Sequence, residues 1–238
     1  ILSGSNLITT VSEGLSRKMT FTGRPVMTLT KGVELREPIA QYEKFTIGYS
    51  GSLFLHFRDP RPLYREIREL FDSGDIQEAD VEFLYAGKDG HTMQMWAEEE
   101  GVGHIFRNLG YLSRDEALVI QSRSHINLLL TSASPEHYGL LTGKLFEYFE
   151  VGNPILCLVR GTHDPEIELI FNELHAGLVA YDSVENGNMR EFLLDKYREW
   201  KTSGKVAPVI DRELLQKQYS WEGQARKLIE ALYPADGK

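Results

Sequence analysis

The sequence is short of cysteine, of basic charge and of long apolar runs, and each shortage closes off a class of protein. A single cysteine among 238 residues rules out an internal disulfide, and neither CxxC nor a Cys/His metal spacing occurs. Cys157 lies inside the apolar run Ile155–Val159, as a buried inert thiol in a reducing compartment would; a cytoplasmic location is therefore expected. The 26 basic side chains are outnumbered by 35 acidic ones, for a net charge of -9. Nonspecific nucleic-acid binding needs a positive footprint, so no nucleic-acid partner is expected, although a local basic pocket stays open. No run reaches the roughly 18 apolar residues of a transmembrane segment, and there is neither a low-complexity tract nor a signal-peptide pattern. The chain starts at Ile1 rather than Met, which gives the expectation of a fragment beginning partway through a longer protein. The composition is that of a soluble globular protein, 42% hydrophobic and 26% charged, long enough for one large or two small domains.

Leu7–Val11 and Pro25–Leu29 read as short strands around a helix opened by Ser12 and Glu13. Two strands and a helix cannot bury a core alone. Residues 1–41 are thus expected to be the tail of a preceding domain plus a linker. From Phe45 a regular alternation sets in. Strands are expected at Phe45–Ser50, Val81–Ala86, His104–Leu109, Ile126–Leu130, Ile155–Val159 and Gly177–Ala180. Helical patterns separate them, one with Ser113 and Glu116 spaced as a capping box. Several strands are apolar throughout, as in a parallel sheet covered on both faces. The expected class is α/β, a Rossmann-like doubly wound parallel sheet over residues 42–185. A cap of C-terminal helices follows over 186–238, at Asn188–Thr202, Arg212–Gln218 and Ser220–Leu232.

Such sheets bind ligands beyond the carboxyl ends of their strands, where Gly51, Gly87, Gly110 and the loop Ser132–Gly143 fall. That loop opens a helix with Leu145, Phe146 and Phe149 apolar and Lys144, Glu147 and Glu150 between them. Thr142 and Gly143 sit at its N-terminus, where about half a positive charge and unpaired N–H donors suit a phosphate. Glu147, a turn further in, is within reach of whatever that phosphate carries; an ordinary capped helix is the plain alternative. Gly139–Lys144 imitates a P-loop, but the glycine spacing is wrong and Leu145 replaces the magnesium-binding Ser/Thr. Lys144 also reads as a solvated cation beside Glu147 or Glu150, and Arg58, Arg61, Arg65 and Arg68 as a solvated helix face. His56, His137 and His163 can each touch a substrate, though scattered histidines ordinarily sit at surfaces or caps. Asp164-Pro165 reads as a helix start.

The string from Gly143 to Leu156, GKLFEYFEVGNPIL, resembles the C-terminal half of a GT-B-fold glycosyltransferase. It is most similar to family 4, whose donor-binding motif has the form K-x-x-E-Y-x-x-x-G-x-P. Ile47–Leu53 (IGYSGSL), Val81–Gly87 (VEFLYAG) and Phe106–Leu112 (FRNLGYL) resemble successive strand ends of that domain. Ile8–Ser16 (ITTVSEGLS) resembles a segment near the end of the N-terminal domain. The resemblance implies a nucleotide diphosphate-sugar as donor substrate, with no separate cofactor. By the motif, Glu147 accepts the ribose hydroxyls, and the backbone N–H groups of Thr142 and Gly143 hold the diphosphate. Gly51 and Ser52 allow close backbone approach, and Tyr111 and Leu112 line the base. Arg58, with Lys144 at the phosphate, would stabilise the departing diphosphate; these two are the candidate catalytic residues. No Asp-x-Asp pair occurs, so no metal is expected, and relatives mostly retain anomeric configuration.

One departure is plain: where many relatives carry a sugar-contacting glutamate, eight positions before the motif glutamate, this sequence has Gly139. Glu136 is three positions too early for the role. The acceptor, a glycan or lipid-linked glycan, would be bound by an N-terminal domain that is essentially absent. The expectation is a donor-binding half that binds nucleotide and transfers little sugar alone. A nucleotide-sugar isomerase (epimerase) of the same architecture and a non-catalytic nucleotide-binding module are the alternatives.

Overall fold

A computed structural model describes residues 4–54, 57–182 and 187–233 of the chain. Strands β1 (Ile8–Thr10) and β2 (Val26–Thr28), joined through helix α1 (Glu13–Lys18), form a small parallel pair. The main sheet is built from β3 (Phe45–Ser50), β4 (Val81–Ala86), β5 (Phe106–Asn108), β6 (Ile126–Ala133), β7 (Ile155–Gly161) and β8 (Gly177–Tyr181). Its six strands run in the order β5-β4-β3-β6-β7-β8, all parallel. This is the doubly wound arrangement expected. Chain direction across the sheet reverses between β3 and β6, which opens a crevice beyond their carboxyl ends.

Helices α2 (Arg61–Asp72), α3 (Gly90–Glu99), α4 (Arg114–Arg123), α5 (Gly143–Val151) and α6 (Pro165–Leu174) connect the strands. Buried Leu63, Tyr64 and Met93 of α2 and α3 pack with Phe45, Ile47 and Phe83 on one face. Leu145, Phe149 and Ile167 of α5 and α6 pack with Leu129, Ile155 and Cys157 on the other. Because both faces are covered, the strands can be apolar at consecutive positions. Local chemistry sets the helix ends. Ser113 and Glu116 form the full capping box on α4, and Asp164 caps α6 with Pro165 in its first turn. Gly152 ends α5 in the left-handed region.

The strand expected over His104–Leu109 is shorter. Gly103–Ile105 turns as a 3-10 helix, and only Phe106–Asn108 pairs, with β4 alone. At the sheet edge no second neighbour holds its ends extended. After β8 come α7 (Gly187–Ser203), α8 (Arg212–Tyr219) and α9 (Trp221–Leu232). Met189, Leu193 and Tyr197 of α7 join the α2 side of the core, and Leu215 of α8 joins the α5 side.

The N-terminal segment docks through a polar seam. Glu166 of α6 accepts the first N–H groups of α1, from Glu13 at 2.6 Å and Gly14 at 2.8 Å. Val33 bridges to Ser220, and Arg36 reaches Glu150 at 3.4 Å. No helix among the described residues is long and apolar enough to cross a membrane.

Candidate functional site

Beyond β3 the chain is held in a tight loop by Tyr49 of β3, Tyr85 of β4 and Asp89 at the start of α3. Tyr85 Oη donates to the Gly51 carbonyl at 2.7 Å and accepts from the Asp89 N–H at 3.0 Å. The Asp89 carboxylate accepts the Leu53 N–H at 2.8 Å, and Tyr49 Oη donates to the Ser52 carbonyl at 3.0 Å. Gly87 must be glycine for this loop to close: a Cβ there would lie 2.2 Å from the Gly51 oxygen and 2.2 Å from Tyr85 Oη. Arg58 donates to the same Ser52 carbonyl at 2.7 Å, with its guanidinium 4.8 Å from the centre of the Phe54 ring. These side-chain contacts fix the loop before any ligand arrives.

Facing this loop across the crevice is the start of α5. Thr142 is its N-cap in extended conformation, but its side chain accepts no capping hydrogen bond, so the helix carries no side-chain acceptor of its own at that end. A Cβ on Gly143 would meet nothing within 4 Å. One turn on, the Glu147 side chain is only 14% exposed and is pulled three ways. Lys144 Nζ lies 2.9 Å from Oε2, Gln121 donates to Oε2 at 3.3 Å, and Arg114 Nε stands 3.5 Å from Oε1. Burial opposes ionisation of Glu147. The hydrogen bond and charge of Lys144, with help from Gln121 and Lys31, overcome it and hold the carboxyl below its ordinary range. Gln121 also donates to Ser50 Oγ at 3.1 Å, tying β3 to α5 through α4.

Three cavities lie in series along the crevice. The first, about 260 Å³, is lined by Gly51, Ser52, Tyr111, Leu112, Lys144 and Glu147, with Arg114 and Lys88 at its wall. A neck of about 40 Å³ follows, walled by Tyr49, Gly51, Arg58, Thr142 and Lys144. The third, about 660 Å³, begins at Arg58 and Thr142 and runs to His137 and Arg160. Eight of the residues singled out from the sequence, Gly51, Ser52, Arg58, Tyr111, Leu112, Thr142, Lys144 and Glu147, therefore line these three adjoining cavities. Gly143 opens α5 beside it.

The remaining candidates fall elsewhere. Arg61, Arg65 and Arg68 pair with Asp59, Glu100 and Asp72. His163 contacts Glu168 at 2.6 Å, and His56 lies outside the described residues. Sequence reasoning passed over Gln121, Arg114, Arg160 and the Tyr85–Asp89 clamp. Arg160 had a signal of its own, an arginine directly after the buried run Ile155–Val159, at the ligand end of a strand.

No family model matches the sequence, and no curated protein does. Solved structures match by shape. A lipopolysaccharide outer core galactosyltransferase, WaaB, in its apo form superposes with a TM-score of 0.63 at 15% identity, over 96% of this chain and 62% of that one. Sucrose-phosphate synthase from Thermosynechococcus elongatus gives 0.67 at 12% identity, over 97% of this chain and 58% of that one. Anabaena Alr3699/HepE, solved in complex with UDP and glucose, gives 0.58 at 12% identity, over 97% and 63%. The six-stranded parallel sheet with its flanking helices matches the Rossmann-like domain of the GT-B fold. At such identities the likeness is one of fold alone, and the chain spans about three fifths of the length of these proteins.

Proposed function

We propose that this chain is the donor-binding half of a glycosyltransferase of the family 4 type, which moves a sugar from a nucleotide diphosphate-sugar to an acceptor. The observation that carries the reading is the series of cavities, with the Lys144–Glu147 pair at the foot of α5 standing between the first and the neck. In this reading the nucleoside occupies the first cavity, with Tyr111 and Leu112 at the base and Glu147 accepting the ribose hydroxyls. An acceptor-only carboxylate suits a vicinal diol. The diphosphate lies in the neck, against the N-terminus of α5 and between Arg58 and Lys144. The sugar projects into the third cavity.

Chemistry then follows from electrostatics. The bond from the anomeric carbon to the diphosphate oxygen breaks, the carbon gains positive character and the diphosphate takes the electron pair. Donors fixed beforehand at the leaving group stabilise that charge without reorganising. The start of α5, Arg58 and Lys144 supply them, in a metal-independent transfer that retains anomeric configuration. Residues 1–41 would belong with the acceptor-binding half, residues 42–185 would hold the donor and residues 186–238 would cap the sheet. The acceptor, a glycan or lipid-linked glycan, would be positioned from outside this chain, which would then bind donor and transfer little sugar alone.

Thermal stabilisation by UDP-, GDP- and ADP-sugars tests the reading. A ligand at a hundred times its Kd adds about 2.7 kcal/mol, or roughly 5 °C or more for a chain of this size. One base series is expected to produce that shift; no shift from any of the three contradicts donor binding.

A further inference from the structure

The third cavity has walls suited to a charged sugar. A neutral hexose offers only hydroxyls and is gripped by acceptors as well as donors. Among the described residues the lining contains no carboxylate: Arg58 and Arg160 supply its charge, His137 and several Ser and Thr side chains its neutral polar groups, and Phe54, Phe57 and Leu140 its exposed apolar wall. A glutamate in place of Gly139 is disfavoured twice. The backbone there has φ +69°, and a Cβ would fall 1.9 Å from a Glu166 oxygen. Glu166 in turn is committed to the N–H groups of Glu13 and Gly14.

Among the described residues Arg160 has ion-pair neighbours but no hydrogen-bond partner for its side chain. It sits on β7 in register with Ser132 of β6, and its side chain is 43% exposed. Its nearest carboxylates, Asp59 at 4.0 Å and Asp182 at 3.9 Å, are beyond hydrogen-bonding distance. Both are engaged elsewhere, Asp59 with Arg61 at 2.6 Å and Asp182 with the Gly161 N–H at 2.9 Å. The two acids attract the guanidinium without hydrogen-bonding it, and its donors stay available at the wall of the cavity. A planar fork of N–H groups is matched by a carboxylate.

We propose that this cavity takes a sugar bearing a carboxylate, a hexuronic acid in class, with Arg160 as the residue that reads the charge. The assignment rests on the donor reading above. The ring would lie along the apolar wall of Phe54 and Phe57, and the carboxylate would replace the distant Asp59 and Asp182 as the partner of Arg160. The protein's net charge of -9 repels an added negative charge at long range, so any preference for the acid form has to come from local contact.

Calorimetry on the full chain with UDP-glucose and UDP-glucuronate, and with GDP-mannose and GDP-mannuronate, tests it. The uronate is expected to bind about ten- to a hundredfold more tightly than its neutral counterpart, the range of a charge-assisted hydrogen bond. Arg160→Gln should bring that ratio close to one, and Arg160→Lys, a point charge without the fork, should keep part of it. Methyl glucuronide added over saturating UDP or GDP forms the untethered arm. Arg160-dependent binding there, without a tethered preference, assigns the acid sugar to the acceptor. Equal affinity for acid and neutral donors, with no methyl glucuronide binding, overturns the proposal; if UDP or GDP still binds, the donor reading survives it. If UDP, GDP and ADP all fail to bind, the donor reading fails and takes the proposal with it.

Discussion

Truncating Glu147 to alanine separates a ribose ligand from an ordinary ion-pair partner. In the structure Oε2 is taken by Lys144 at 2.9 Å and Gln121 at 3.3 Å, while Oε1 has, among the described residues, only Arg114 at 3.5 Å. Oε1 is therefore the oxygen left to accept from a vicinal diol. A hydrogen bond to a charged group contributes about 1.5–3 kcal/mol, so UDP should bind the native chain roughly ten- to a hundredfold more tightly than 2′,3′-dideoxy-UDP. In Glu147→Ala the two nucleotides should bind alike, because the diol has lost its acceptor. The fold should survive. Lys144, with a quarter of its side chain exposed, can turn to solvent, and removing one partner of a pair this far buried costs about 1–3 kcal/mol. That is a fall of roughly 2–12 °C in Tm. Calorimetric titration of both nucleotides into both proteins reads the coupling directly. A native chain that does not discriminate, or a variant that still does, returns Glu147 to the role of counter-ion for Lys144; the same titrations with GDP and its dideoxy form apply if guanine is the base.

Three further outcomes follow from the same geometry. Gly143→Ala puts a methyl group into open space, so stability should hold or rise by up to about 1 kcal/mol while nucleoside diphosphate affinity falls; unchanged affinity would remove the diphosphate from the start of α5. Glu147 is held ionised below its ordinary value of 4.5 by Lys144 against the effect of burial, so the preference for UDP over its dideoxy form should persist as pH falls through about 4.5. Lys144→Met should shift the loss of that preference to higher pH, and a profile that does not move contradicts the pairing. His125 is buried with Nδ1 accepting the Thr46 N–H at 2.9 Å, and burial depresses its pKa from 6.5 to about 4. Its neutral form is the folded one. Stability should therefore be full above pH 6.5 and decline towards pH 4, by about 3 kcal/mol, in acid denaturation curves that flatten for His125→Asn.

Much of the fold was legible because its signals are local. Runs such as Ile126–Leu130 and Ile155–Val159 fit strands buried on both faces, and Ser113 with Glu116 announces a helix start. The edge strand was overdrawn. His104–Leu109 looks like a strand in sequence, but pairing on one side holds only Phe106–Asn108. In the site, spacing along one helix brought out Thr142, Gly143, Lys144 and Glu147 together, because they are neighbours in sequence as well as in space. Gln121, Arg114 and Asp89 reach the same crevice from other elements, through contacts at sequence separations that no periodicity encodes. The cost of a glutamate at Gly139 was also invisible, since it depends on the local backbone and on Glu166 arriving from α6 to cap α1.

Donor binding in the crevice is tested most directly by mapping backbone amide shifts in the isotopically labelled chain as UDP, GDP or ADP is added. Binding as proposed moves the amides of Gly51 and Ser52, of Tyr111 and Leu112, and of Gly143, Lys144 and Glu147, saturating together at one Kd. Shifts confined to another face of the chain, or none with any of the three nucleotides, would contradict it.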